Sequence, residues 1–165
     1  MTKQALMVVD LQVCMLDCEW ESPSAKLVIP AWQARIDKAR AEGQTIVWVQ
    51  NDGEEGYFDA PGAPGWKLYF DPADGERVVR KDVGDVFESN PLLADELRAQ
   101  GIDSIEMVGM QSEMCISASA RGAKAAGFDV VVPSNLHATF DAEDKDHSVI
   151  IAEVNAALAA EGIRS

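Results

Sequence analysis

The chain has 165 residues, 47% hydrophobic and 25% charged, an ordinary globular composition at about one domain's length, so residues 1–165 are expected to form a single domain. No run approaches the ~18 apolar residues of a membrane-spanning helix, and the N-terminus reads as neither a secretory nor a basic amphipathic leader, so the expected compartment is the cytoplasm. With 28 acidic against 14 basic residues the net charge of −14 repels nucleic-acid phosphates, and three cysteines without a pairing framework read as free thiols.

Residues 5–9 form an apolar run too short for a helix and without the alternation of a half-exposed strand; they read as a buried strand ending at Asp10. Ile29, Trp32, Ile36 and Ala39 recur at helical spacing, with Pro30 suited to a first turn and Gly43 to the helix end. Residues 45–49 make a second buried strand. The Gly-, Pro- and Asp-rich stretch 51–75 is long enough to be a functional loop. Residues 77–79 are a short third strand, followed by a helix with Asn90 as N-cap, Pro91 at its first position, Leu93 and Leu97 one turn apart, and Gly101 as its stop. Residues 104–109 are a fourth strand. A helix from about Cys115 then carries Ile116, Ala120 and Ala123 on one face and ends at Gly127. Residues 128–132 are a fifth strand, and Ile150, Ile151, Val154, Ala157 and Leu158 lie on a last helix. Asp141, Glu143, Asp144 and Asp146 suit its N-terminal end. The alternation predicts an α/β fold: a three-layer α/β/α, doubly wound, Rossmann-like arrangement around a mostly parallel sheet of five or six strands. Such sheets place ligands beyond the carboxyl ends of their strands.

Asp10, Lys81 and Cys115 stand at or just past predicted strand ends. A cysteine at a helix N-terminus, near an ammonium, has its thiolate stabilised, which makes Cys115 a candidate nucleophile; the alternative is a small buried hydrophobe. Taken singly, Asp10 is also a turn residue or cap and Lys81 a solvated lysine. Cys14 and Cys18 are one helical turn apart, without a second ligand pair of matching spacing, and read as thiols covering the site. His137 is either a base for Cys115 or a loop histidine bonded to backbone. Trp66 and Tyr57 are either aromatic pocket walls or a cover for the core edge.

Three strings carry a resemblance, in order along nearly the whole chain: VVDLQ around Asp10, VVRKDVGDVF around Lys81, and VGMQSEMCISASARGAKAAGFDVVV around Cys115. The last sets Ser112 three residues and Gly109 six residues before the cysteine. Together they resemble the isochorismatase-like cysteine hydrolases. The resemblance implies a catalytic Asp10, Lys81 and Cys115, a non-proline cis peptide at Met110–Gln111, and an oxyanion hole from the backbone of Gln111 and Cys115. It implies hydrolysis of a small amide or related C–N bond through a thioester. Gln12, Trp66, Phe87 and Ser112 are the expected substrate contacts. Nicotinamidases of this superfamily hold a metal through an Asp and histidines in the loop after the second strand, whereas residues 51–75 contain no His. The chain is similar instead to a metal-free amidase branch that includes streptothricin hydrolase, so no metal and no other cofactor is expected. Asn90, Val86 and Asn135 stand where many members have Thr, Ala and Asp, and the last strand is expected to be truncated. The expected partner is a small-molecule substrate, with no nucleic acid and no membrane, and the expected assembly is a homodimer or higher homo-oligomer. The alternatives are an isochorismatase-type vinyl-ether hydrolase, a catalytically silent small-molecule-binding relative, and a thiol redox protein pairing Cys14 or Cys18 with Cys115.

Overall fold

The computed structural model describes residues 3–18 and 22–165. Its sheet is built around β1 (Gln4–Val9), with β2 (Thr45–Asn51) and β3 (Arg77–Lys81) to one side and β4 (Ser104–Met110) and β5 (Asp129–Val131) to the other. All neighbours in the order β3-β2-β1-β4-β5 are parallel. The two-residue β6 (His137–Ala138) pairs with Gly109 and Met110, so it continues the edge of β4 that β5 occupies nearer its start. The truncated last strand is a single bridge, in which Val132 N–H donates to Arg164 O at 2.7 Å and Arg164 N–H to Val130 O at 3.1 Å.

Successive strand residues alternate between the two sheet faces, and both faces are covered, which is why the strands read as unbroken apolar runs. Ala5, Met7 and Val9 of β1 share one core with Leu97, Ala120 and Leu158, from α4 (Leu93–Ala99), α5 (Ser117–Ala125) and α6 (His147–Ala160). Leu6 and Val8 share the other with Leu16 of α1 (Val13–Leu16) and Trp32 and Ile36 of α2 (Pro23–Ala41). The expected three layers are therefore present. Among the described residues no helix is long and apolar enough to cross a membrane.

Three local expectations are corrected. Pro30 lies inside α2, because Ser22 caps the helix by accepting from Ala25 N–H and Pro23 takes the first turn, seven residues upstream. Burial of Ala25, Trp32, Ile36 and Ala39 outweighs the backbone hydrogen bond that Pro30 removes. Asn90 does not cap α4. It ends the short α3 (Val86–Ser89), donating to Arg80 O and Val86 O, and Asp85 is the side chain that caps there. The helix carrying Cys115 opens with a π-type turn, Ser112–Ile116, before α5, so Cys115 sits within the turn.

The chain winds outward through β2 and β3 and then returns to β4 on the other side of β1, so the crevice between the ends of β1 and β4 is the switch point. Two backbone features shape it. Asp10 has φ of 52°, and Gly109 has φ of 132°. A Cβ on Gly109 would lie 2.0 Å from Val9 O, so only glycine lets the two strand ends approach this closely.

Candidate active site

Asp10 leaves β1 with its N–H bonded to Val49 O at 3.0 Å, Lys81 is the last residue of β3, and Cys115 is presented by the π-type turn after β4. Their side chains meet. Lys81 Nζ is 2.9 Å from Asp10 Oδ2, 3.1 Å from Cys115 Sγ and 2.8 Å from Asn51 Oδ1, which occupies all three ammonium donors. Both charged side chains are fully buried, and the Asp10 carboxylate also meets the Cys115 thiol.

Asn51 is a member of this cluster that sequence reasoning missed. It stands opposite Lys81 in the parallel β2–β3 register, and Asp59 orients it by accepting from Asn51 Nδ2 at 2.9 Å. The signal available was a polar residue just past an apolar strand, but the partner is set by cross-strand register, which a single run does not encode.

Burial decides the protonation states. It pushes the Cys115 thiol up to about 12; the Asp10 charge adds to this, and Lys81 opposes it. The Asp10 carboxyl is likewise raised, by burial first, against the pull of Lys81. Burial alone would lower the Lys81 ammonium, yet its attraction to Asp10 and Cys115 and its hydrogen bonds with both outweigh burial and raise it. Desolvation thus opposes a second negative charge beside the Lys81 ammonium, raising both the carboxyl and the thiol. Burial acts against the thiolate that the helix end was expected to favour.

The cleft over Cys115 measures about 550 Å³, and its walls include Met15, Phe58, Asp59, Val83, Gln111 and Glu113. An apolar side cavity of about 280 Å³ shares Met15, Phe58 and Gln111 with it and adds Cys14 and Phe140. A larger hollow of about 630 Å³ opens at the opposite, N-terminal edge of the sheet among Lys3, Arg35 and Glu106, and contains no nucleophile. Gln111 and Cys115 both line the main cleft, at the start of a helix where the first N–H groups lack intrahelical partners. The Met110–Gln111 peptide is cis.

None of the four expected substrate contacts lines the cleft. Gln12 is fully buried, donating to Asn51 O and Trp66 O and accepting from Asn51 N–H, so it fastens the loop after β2 to the end of β1. Trp66 donates Nε1 to Asp52 at 2.9 Å and lies under the Arg80 guanidinium. Phe87 packs on Phe128 against the core, and Ser112 is buried against His137. The resemblance and the aromatic reading of the loop set them against the substrate, and packing turns each side chain elsewhere. Phe58, rather than its neighbour Tyr57, forms the aromatic wall. His137 bonds the side chains of Ser112 and Asn155, not backbone. Cys14, Cys18 and Cys115 are all free thiols, and Cys18 donates to Cys14 O.

The donors around the cleft do not fit a zinc-type metal. Asn51 is tied to Lys81, Asp52 is held by Trp66 and Arg80, and residues 51–75 supply no imidazole. Among the described residues, the one group of three ligand-type side chains within reach of each other is Asp141, Asp146 and His147, at the exposed start of α6. There Asp146 accepts from Ser148 N–H and Asp141 from His147 N–H, the capping that the acidic cluster suggested.

Comparisons with known proteins agree with the fold and the order of these elements. The isochorismatase domain model matches residues 4–160. Two streptothricin hydrolases of Streptomyces noursei are 43% and 40% identical over 84% of this chain, which spans 55% and 50% of their lengths, about half of each relative. Among solved structures, an isochorismatase family protein of Desulfovibrio vulgaris superposes with a TM-score of 0.85 at 23% identity, covering 99% of this chain and 93% of that one. The chain belongs to the isochorismatase family.

Proposed function

We propose that the protein is a cysteine-dependent hydrolase of a small amide or related C–N bond, with Asp10, Lys81 and Cys115 as its catalytic residues. The observation that carries this reading is the Lys81 ammonium within 3.1 Å of the Cys115 sulfur and 2.9 Å of the Asp10 carboxylate, in a buried pocket at the sheet's switch point. The relatives named streptothricin hydrolase make streptothricin the first compound to test.

The chemistry follows from the contact of carboxylate, ammonium and thiol. Cys115 Sγ attacks the carbonyl carbon as the Asp10 carboxylate takes the thiol proton, and Lys81 stabilises the negative charge as it moves between sulfur and carboxylate. The C=O bond opens to an oxyanion that the N–H groups of Gln111 and Cys115 receive. Its collapse breaks the C–N bond, Asp10 returns the proton to the departing amine, and a thioester remains on Cys115. Water then adds with Asp10 as base, the C–S bond breaks, and the thiol is restored with release of the acid.

Amine release from streptothricin, primary amides, lactams and carbamoyl compounds is the first measurement. On the substrate found, Cys115→Ala, Asp10→Asn and Lys81→Met are each expected to lower kcat/KM by roughly a hundredfold or more with cooperative unfolding retained. The double variant Cys115→Ala with Asp10→Asn is expected to be little worse than Cys115→Ala, since no thiol remains to activate. Acid-quenched enzyme should carry the acyl mass on the peptide containing Cys115. Near-normal turnover by Cys115→Ala would exclude covalent catalysis.

A further inference from the structure

His137 is a fully buried titratable side chain that the chemistry above does not use. It sits on β6, opposite Gly109 in register and beside the last residues of β4. Its Nδ1 lies 2.8 Å from Ser112 Oγ and its Nε2 2.9 Å from Asn155 Oδ1 of α6. The Asn155 amide nitrogen faces Ser134 O at 3.4 Å, so Oδ1 is the atom turned to the ring, and it can only accept. Nε2 therefore carries the ring proton, Nδ1 is an acceptor, and the Ser112 hydroxyl donates to it. The result is a one-way chain of donors, Ser112 to His137 to Asn155 to the Ser134 carbonyl.

Ser112 is held at its other end too, since its carbonyl accepts from Ser117 Oγ at 2.8 Å. It lies between Gln111 and Cys115, in the turn where the Gln111 carbonyl accepts from Met114 and Ile116 N–H. The neighbours of the ring keep it neutral: Gly109 and Asn155 carry no charge, burial disfavours the imidazolium, and Glu113, the acid acting on it, is itself bonded to Thr139 Oγ1. We propose that His137, as the neutral tautomer protonated on Nε2, is a positioning residue that holds Ser112 and thereby the amides of Gln111 and Cys115 in the geometry that receives the oxyanion. Its kinetic consequence rests on the amidase reading; its structural consequence does not.

The test has one readout for each. In ¹⁵N NMR spectra of the intact protein at neutral pH, His137 is expected to show a protonated, pyrrole-type Nε2 and an unprotonated, pyridine-type Nδ1; the reverse overturns the proposal. Ser112→Ala removes one oxygen, and His137→Leu removes the acceptor. Each is expected to lower kcat roughly tenfold or more with little change in KM, and the pair together to cost no more than one alone. Wild-type turnover with an unchanged kcat in Ser112→Ala overturns the proposal. If even the wild type hydrolyses no amide, the amidase reading fails on its own. Hydrogen exchange at the Gln111 and Cys115 amides then decides the positioning role: faster exchange in Ser112→Ala supports it, and unchanged exchange overturns it. Should His137→Leu not fold, Ser112→Ala carries the same comparison.

Discussion

Lys81 commits all three of its donors inside the site, and this constrains every other group there. One buried cation beside two acids stabilises a single negative charge, so losing both protons is strongly disfavoured and the thiol stays protonated up to about 12. Activity should then depend on Asp10 being ionised. Since the Asp10 carboxyl is raised, the acid limb of kcat/KM is expected to have its midpoint above the ordinary carboxylate value of 3.8. Above that midpoint the rate should stay level through the range where exposed thiols ionise. Asp10→Asn should lose the acid limb and keep a residual rate that climbs with alkaline pH as thiolate forms. A pH–rate profile of both proteins checks this; an acid limb unchanged in Asp10→Asn would assign that proton to another group.

Elements meet through a few half-buried polar anchors. Glu76, just before β3, accepts from Arg40 of α2, from Trp48 Nε1 of β2 and from Ala73 N–H, tying a helix, a strand and a turn together. The Arg40 guanidinium holds its carboxyl down to about 2, from an ordinary 4.5. A carboxylate depressed on folding contributes stability that is complete above about 4.5 and lost as pH falls toward about 2. Arg40 is partly exposed, so screening trims the effect, and Glu76→Gln is expected to cost about 1–2 kcal/mol at pH 7. The difference from wild type should shrink as pH drops through that window. Urea unfolding at several pH values measures it, and a difference that is constant with pH would exclude the ion pair as its source.

Across the whole molecule, 28 acids against 14 bases leave an excess that repels itself in the folded state. Exposed pairs such as Arg121–Glu161 and Lys145–Glu153 oppose that repulsion, but each is weak in water and is itself screened by salt. The excess charge should dominate. Raising NaCl from about 20 mM to about 0.5 M is therefore expected to increase Tm by a few degrees. A falling Tm would mean that the surface pairs outweigh the net charge.

What the amino-acid sequence determined by itself was the alternation of buried strands and helices, and with it the parallel sheet and the edge where polar strand-end residues gather. Apolar period and run length are local, so residues 5–9 and 45–49 announce their strands directly, and Asp10 and Lys81 follow as their chain positions dictate. Tertiary structure alone decided how those residues are used. Capping competition moved the start of α2 to Ser22 and turned Asn90 away from α4. Cross-strand register set Asn51 beside Lys81, packing drew Gln12, Trp66, Phe87 and Ser112 out of the cleft, and burial pushed the Cys115 thiol up. Register, burial and partner choice are properties of residues distant in the chain, and no local pattern carries them.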